Sequence, residues 1–332
     1  MILSGQRLDT KTCKGLLIIG DPHVSSRRPG RRKDPVWPEP VLAKLRHCVA
    51  IANERDLLPV ILGDLFDRPV ETDESLKTQL IRMLKSFRHR PLVNVGNHDI
   101  RHTTLSDGDT LALLGLCDVV DVVSSSGPVL DVHCDGHRTG IGMTPFGQAI
   151  PGSVRGSSVD VDRQIWFTHH DIAFEGSTYP GALPPFAVEG CDLLINGHIH
   201  KTQKGIQAGH TRWLNPGNIT RQSVDLLDHR PRAWILDASG ELQGQDLPWA
   251  PDVFDLTGRL VPAASDERVA AVESAFVSLL RAEAPSDMKR SDDGSVLREE
   301  IEAKFVEDRT PEAIRAIVRS LLAEAVVRRD SA

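Results

Sequence analysis

The sequence predicts an α/β fold whose chemistry gathers where its strands end, and three observations carry that expectation. Short apolar runs alternate with amphipathic helical stretches through the first third of the chain. Each apolar run there is followed by Asp, Asn or His. The same residue types recur after two later runs, at His169-His170 and at Gly197-His198-Ile199-His200. In α/β sheets, ligands collect beyond the carboxyl ends of the strands.

The elements follow in order. Gly15–Gly20 (GLLIIG) reads as a buried strand closing in a turn. Glu39–Arg55 places Leu42, Leu45, Val49 and Ala52 at helical spacing. A strand is expected at Leu58–Leu62, a helix at Glu74–Phe87, a strand at Pro91–Val95 and a helix at Asp107–Leu116. The middle is β-rich: Val119–Val123, Val129–Cys134, Thr139–Met143, Gln164–Thr168 and Asp192–Asn196, then Thr202–Gln207, Thr211–Leu214 and Arg232–Leu236. Residues 145–162, rich in Gly, Ser and Pro, predict a loop over or beside the site.

After about Gln245 the character changes. Residues 1–247 are expected to form the main domain, 248–264 a linker and 265–330 a small helical appendage. In the appendage Val269, Val272, Phe276, Leu279 and Leu280 share one helical face, and Leu297, Ile301 and Phe305 mark a second. Thr310-Pro311 caps a third, carrying Ile314, Ile317, Val318, Leu321 and Leu322. These helices either cap the core or form a hairpin that docks on a partner.

Composition bounds the function. At 332 residues, 40% hydrophobic and 26% charged, the chain can bury one large core. No apolar run approaches the ~20 residues that span a bilayer, and the start is polar. A cytoplasmic protein without membrane attachment is expected. Cys13, Cys48, Cys117, Cys134 and Cys191 lack any C-x-x-C spacing and read as buried or idle thiols. A net charge of −7 argues against a surface coated for nucleic acid. Arg27, Arg28, Arg31, Arg32 and Lys33 nevertheless cluster directly after the first motif. They read as a solvated loop or, with Arg101, as contacts to the phosphates of a polyanion.

Five motifs supply metal-ligand chemistry: Asp21-Pro22-His23, Gly63-Asp64-Leu65-Phe66-Asp67-Arg68, Gly96-Asn97-His98-Asp99, His169-His170 and Gly197-His198-Ile199-His200. If the chain stays extended, Asp21 and His23 lie on one side and grip one ion together. Asp64, at a strand tip, has two oxygens with which to bridge two ions, while Asp67 stabilises the turn or orients a ligand. Asn97 offers an amide oxygen. His98 is placed to sit over a substrate, with Asp99 expected to hold its ring and raise its pKa. His198 and His200 repeat the i, i+2 arrangement, one imidazole to each ion. Of His169 and His170 only one is expected to coordinate, and His169, nearer the strand end, is favoured. The other histidines read as surface or packing residues.

Charge supports two ions. Asp21 and Asp64 cancel two of four positive charges, and Asn97, His169, His198 and His200 are neutral. The remainder suits a phosphate ester anion. Nitrogen-rich coordination favours manganese, iron or zinc over calcium or magnesium. Manganese is the ion expected first, with iron, zinc or magnesium as alternatives.

Together these motifs resemble the calcineurin-like metallophosphoesterase superfamily, over roughly Leu16–Asp237. The resemblance implies a four-layer αββα β-sandwich flanked by helices, and two-metal hydrolysis of a phosphoester by in-line attack. It also implies that Asp21, His23, Asp64 and His200 hold one ion, and that Asp64, Asn97, His169 and His198 hold the other. His98 would stabilise the transition state or protonate the leaving oxygen. Within the superfamily, GDLFDR, Asp109–Leu116 and Trp213–Arg221 look like the SbcD-type DNA-repair nucleases. That branch implies a manganese-dependent DNA exo- or endonuclease in repair or recombination, paired with an SMC-like ATPase through C-terminal helices, and possible homodimers. Only about ninety residues follow the core, so a DNA-capping domain would be reduced or absent. Two other readings compete: a phosphatase or phosphodiesterase acting on cyclic nucleotides, nucleotides or phosphoproteins, and a scaffold without catalysis. The complete ligand set disfavours the scaffold.

Overall fold

A computed structural model describes residues 1–174, 182–257 and seven positions between 301 and 319. The chain divides into two units, Met1–Asp255 and Leu256–Ala332. The three helical patterns of the second unit lie almost wholly outside the described residues. Within that unit Arg315 and Arg319 stack over the Phe305 ring, at 5.9 and 5.8 Å, and Arg319 pairs with Glu302 at 2.6 Å.

The first unit holds strands β1 (Ile2–Leu3), β2 (Lys11–Thr12), β3 (Gly15–Ile19), helix α1 (Glu39–Arg55), β4 (Leu58–Ile61), α2 (Glu74–Lys85), β5 (Leu92–Asn94), α3 (Thr110–Leu116) and β6 (Asp121–Val123). Strands β7 (Gly127–Cys134), β8 (His137–Thr144), β9 (Arg163–Thr168), β10 (Leu193–Asn196), β11 (Gln203–Ala208), β12 (Thr211–Asn215), β13 (Arg232–Asp237) and β14 (Leu242–Asp246) follow. They form two seven-stranded sheets, in the orders β1-β6-β5-β4-β3-β13-β14 and β11-β12-β10-β9-β8-β7-β2. Both are mixed. In the first, β3 to β6 run parallel and β13 turns back antiparallel on β3; in the second, β8, β9, β10 and β12 run parallel. Two mixed sheets face to face make the expected α/β sandwich.

Alternation of side chains along each strand divides the core into layers. On β3, Leu16 and Ile18 face the second sheet, joining Val60 of β4, Ile141 of β8, Ile165 and Phe167 of β9 and Ile195 of β10. Leu17 and Ile19 face the other way, against Leu45 and Cys48 of α1, Leu80 of α2 and Leu114 of α3. Covered on both sides, β3 is apolar throughout, which is why it reads as a continuous run rather than an alternating one. The outer face of the second sheet buries Trp166, Leu194 and Trp213 under Phe174, Val188 and Cys191. Among the described residues that layer is loop, not helix.

In the first unit the expected elements are present, most with ends within two residues of the reading. The edge strands β1, β2 and β14 went unread. The first two are two residues long, and β14 (LQGQD) has no buried face to print a pattern.

Candidate metal centre

β3, β4, β5, β9 and β10 all end at one edge of the sandwich, and the five motifs are the turns that follow them. At this edge the backbone departs from the extended path expected for Asp21-x-His23. Asp21, His23, Asp64 and His198 have φ of 28°, 48°, 46° and 72°, in the left-handed region that side chains disfavour. Each such residue costs on the order of 1 kcal/mol or more and persists because its surroundings over-determine it. The i, i+2 logic of an extended strand therefore does not apply. The tight turns, pinned to one another, bring Asp21 and His23, and His198 and His200, together instead. The His23 N–H donates to the Asp64 carbonyl at 2.9 Å, and the His198 N–H to Asp21 Oδ2 at 2.8 Å. The His98 N–H donates to Asp64 Oδ1 at 2.8 Å.

Those bonds leave one oxygen of each carboxylate facing inward. Asp21 Oδ1 and Asp64 Oδ2 are buried and make no hydrogen bond among the described residues. Asp64 Oδ2 lies 3.1 Å from His169 Nε2 and 3.8 Å from His23 Nε2, so a single carboxylate stands between two imidazole groups. On one side His23 Nε2 and His200 Nε2 approach to 2.9 Å, with Asp21 completing the group. On the other, Asn97 Oδ1 is 3.2 Å from His169 Nε2 and 2.9 Å from His198 Nδ1. Buried nitrogen and oxygen donors converging in this way fit two transition-metal ions sharing Asp64.

The protonation pattern points the same way. Burial, reinforced by the nearby Asp64 charge, raises the Asp21 carboxyl. Burial also works against Asp64, but the His169, His98 and His23 imidazoles outweigh it and hold that carboxyl well below its usual range. Burial opposes charge on His169 too; Asp64 and Asp21 overcome it and lift the ring to about 9. Carboxylates that draw protons onto their imidazole neighbours are short of positive charge, which divalent cations supply.

Supporting bonds set which ring nitrogen faces inward. His169 Nδ1 is 3.1 Å from the Leu62 carbonyl, turning Nε2 into the cluster. His198 Nε2 is 3.1 Å from Asp171 Oδ1, turning Nδ1 inward. His170 points elsewhere: its Nε2 bonds the Gln148 carbonyl at 2.8 Å, so His169 is the one that enters the cluster. Any Cβ on Gly63, at φ 131°, would fall on the His169 ring, and one on Gly96 would strike Asp64.

Two further expectations need correction. Asp99 does not hold the His98 ring. Its oxygens accept the backbone N–H groups of Phe66 and Gly96, at 3.1 and 3.0 Å, and burial with the Asp64 charge pushes its carboxyl up to about 7. The His98 ring is held instead by the Asp67 carbonyl, 2.8 Å from Nδ1. Asp99 shapes the turn.

The basic run is the second. Arg32 is only 3% exposed, forks onto Asp34 and donates to the Arg221 carbonyl, so it cannot present itself to a substrate. Arg28 bonds the Asp34 carbonyl, Arg31 the Asp255 carbonyl, and Lys33 pairs with Asp252 at 2.7 Å. Arg101 bonds the Gly108 carbonyl at 2.7 Å. Arg27, Arg28, Lys33 and Arg101 remain exposed.

Sequence reasoning missed Asp171 and Phe146. Asp171 directly follows His169-His170, a position that carries no signal by itself. Phe146, in the expected loop, sets its ring 5.6 Å from that of His198 and 6.3 Å from those of His169 and His170.

A two-sheet sandwich with carboxylates and imidazoles converging beyond its strand ends defines a hydrolase domain built around a candidate metal centre. The family model of the calcineurin-like phosphoesterases matches residues 15–202, more than half of the chain, and the chain belongs to that family. It is thus a phosphoester hydrolase of a family that binds divalent metals. No curated protein matches the sequence. Among solved structures, TT1561 of Thermus thermophilus is 12% identical, with a TM-score of 0.41, over 70% of this chain and 99% of that one. A 5′-nucleotidase precursor from the same organism is 14% identical, with a TM-score of 0.43, over 73% of this chain and 55% of that one. Among the described residues no helix is long and apolar enough to cross a membrane.

Proposed function

We propose that the protein is a manganese-dependent phosphodiesterase that cuts DNA, working in repair or recombination with an SMC-like ATPase docked on the C-terminal helices. Asp21, His23, Asp64 and His200 would hold one ion, and Asp64, Asn97, His169 and His198 the other. The observation that carries the reading is Asp64 Oδ2, buried 3.1 Å from His169 Nε2 and 3.8 Å from His23 Nε2, at the junction of the two donor groups. Bound there, two divalent ions would activate water as a nucleophile and offset charge on the phosphoryl oxygens. His98, its Nδ1 held by the Asp67 carbonyl, turns Nε2 toward the donor cluster, where it would protonate the leaving oxygen. DNA is supported by the likeness of GDLFDR, Asp109–Leu116 and Trp213–Arg221 to the SbcD-type nucleases.

A second reading, hydrolysis of small nucleotides, is favoured by one observation: Arg32, within the basic run, is buried and bonded inside the fold. The test is hydrolysis of bis-p-nitrophenyl phosphate with manganese, beside end-labelled linear DNA with and without a co-expressed ATPase. Turnover of both supports the proposal. Rapid cleavage of cyclic nucleotides beside inert DNA selects the second reading, and no turnover by protein carrying metal overturns both.

A further inference from the structure

The basic run continues inward as a buried cation cluster away from the metal centre. Lys44 lies on the inner face of α1, 3% exposed, and its Nζ makes no hydrogen bond or ion pair among the described residues. Two more buried cations face it, Arg32 at 3% and Arg221 at 1% exposure. Arg32 Nη1 donates to the Arg221 carbonyl at 2.5 Å, and the two guanidinium groups share the Phe254 ring, 5.5 and 5.7 Å from its centre. Trp37 backs Arg32 and Trp249 backs Arg221, at 5.3 and 5.0 Å.

The carboxylate facing this group is Asp34. It takes a fork from Arg32, at 2.6 and 2.9 Å, and is spent on it. Arg221 donates to the carbonyls of Leu227 and Ala250, which are dipoles and not charges. Among the described residues the three cations thus share one carboxylate, Asp34, which leaves an excess of two positive charges when Lys44 is protonated. Buried charges are paired in folded proteins, because an unpaired one carries a large desolvation penalty. Burial, with the two guanidinium groups beside it, pulls the Lys44 ammonium down to about 7.

We propose that Arg32, Lys44 and Arg221 form a binding site for a small inorganic anion of halide size. A single anion beside Lys44 and Arg221 halves the charge excess and gives the ammonium an acceptor. The donors left are few, which suits a monatomic anion: Arg32 spends its three nitrogens on Asp34 and Arg221, and two Arg221 nitrogens go to carbonyls, so the four oxygens of a tetrahedral oxyanion would lack partners. The site serves as a structural clamp. It ties the segment that leaves His23, through Arg32, to α1 through Lys44 and to the segment after Thr220 through Arg221. Thr220 Oγ1 in turn donates to the Pro22 carbonyl at 2.8 Å, beside the metal centre.

The test is thermal unfolding of the full chain in sodium chloride against sodium gluconate at equal ionic strength. Chloride is expected to raise the midpoint saturably, by roughly 3 °C, through binding to the folded state. Lys44→Met, apolar and of similar length, is expected to unfold in one transition with no chloride-dependent rise. An equal midpoint for the natural chain in both salts, or an undiminished rise in the variant, overturns the proposal. Should Lys44→Met fail to fold, crystals of the natural chain grown in bromide decide. An anomalous peak among Arg32, Lys44 and Arg221 supports the site, and its absence there refutes it.

Discussion

Replacing Asp171 by alanine removes the acceptor that turns His198 toward the cluster, and the consequence can be worked from the geometry. The His198 Nε2–Asp171 Oδ1 contact is 3.1 Å long, and the Asp171 side chain is 27% exposed. A hydrogen bond to a charged acceptor contributes about 1.5–3 kcal/mol. Partial exposure screens it, so the lower figure applies, and ~1.4 kcal/mol corresponds to tenfold in an equilibrium constant. The change falls on the ion facing His198, because Asp171 bonds His198 and the group of Asp21, His23 and His200 does not include that ring. Calorimetric titration of manganese into metal-stripped protein should therefore resolve two sites, one weakened ~10-fold in Asp171→Ala and the other unchanged. Asp171→Asn keeps a neutral acceptor and should recover most of the loss. Equal weakening of both sites, or two sites as tight as in the natural protein, would show that Asp171 does not orient His198.

Other outcomes follow from the same structure. His98→Ala is expected to keep both metals while turnover of bis-p-nitrophenyl phosphate falls at least ~100-fold, the usual contribution of a general acid; parallel loss of metal would make His98 a ligand or a support. Gly63→Ala drives a methyl group onto the His169 ring from a backbone conformation suited to glycine, so metal analysis should find one ion lost with native circular dichroism retained. Asp131→Asn tests the second sheet away from the centre. Burial works against the Asp131 carboxylate, but Ser158, Arg138 and Arg7, at 2.7, 2.7 and 2.6 Å, hold its pKa below the usual value. A carboxyl lowered on folding contributes stability above about pH 4 that is lost as pH falls through the folded value. Urea unfolding should show the variant ~2 kcal/mol less stable at pH 7, with the gap narrowing at pH 3.

Much of the fold was legible because burial on both faces writes strands as unbroken apolar runs. GLLII, LPVI and LLIN each stand out for that reason, and of the α1 face read from spacing Leu42, Leu45 and Ala52 are buried while Val49 is half-buried beside Cys48. The candidate ligands were legible because so few residue types can hold a metal, and here they follow strands. Preference for His169 over His170 also came from place in the chain, as the first residue past a strand end.

What the sequence determined by itself, then, was the class of fold and the set of candidate ligands. Tertiary structure alone decided how those ligands meet and what supports them. The left-handed turns at Asp21, His23, Asp64 and His198 are imposed by bonds to distant segments, as between His198 and Asp21, 177 residues apart. Arg32 looked like surface charge until Arg221, 189 residues further on, drew it inside. Asp99 shapes the turn and leaves the His98 ring to the Asp67 main-chain carbonyl, because a side chain in a tight turn bonds the donors the turn presents to it. Local pattern records what a residue can do chemically; its partner is chosen by chain that folds back from far away.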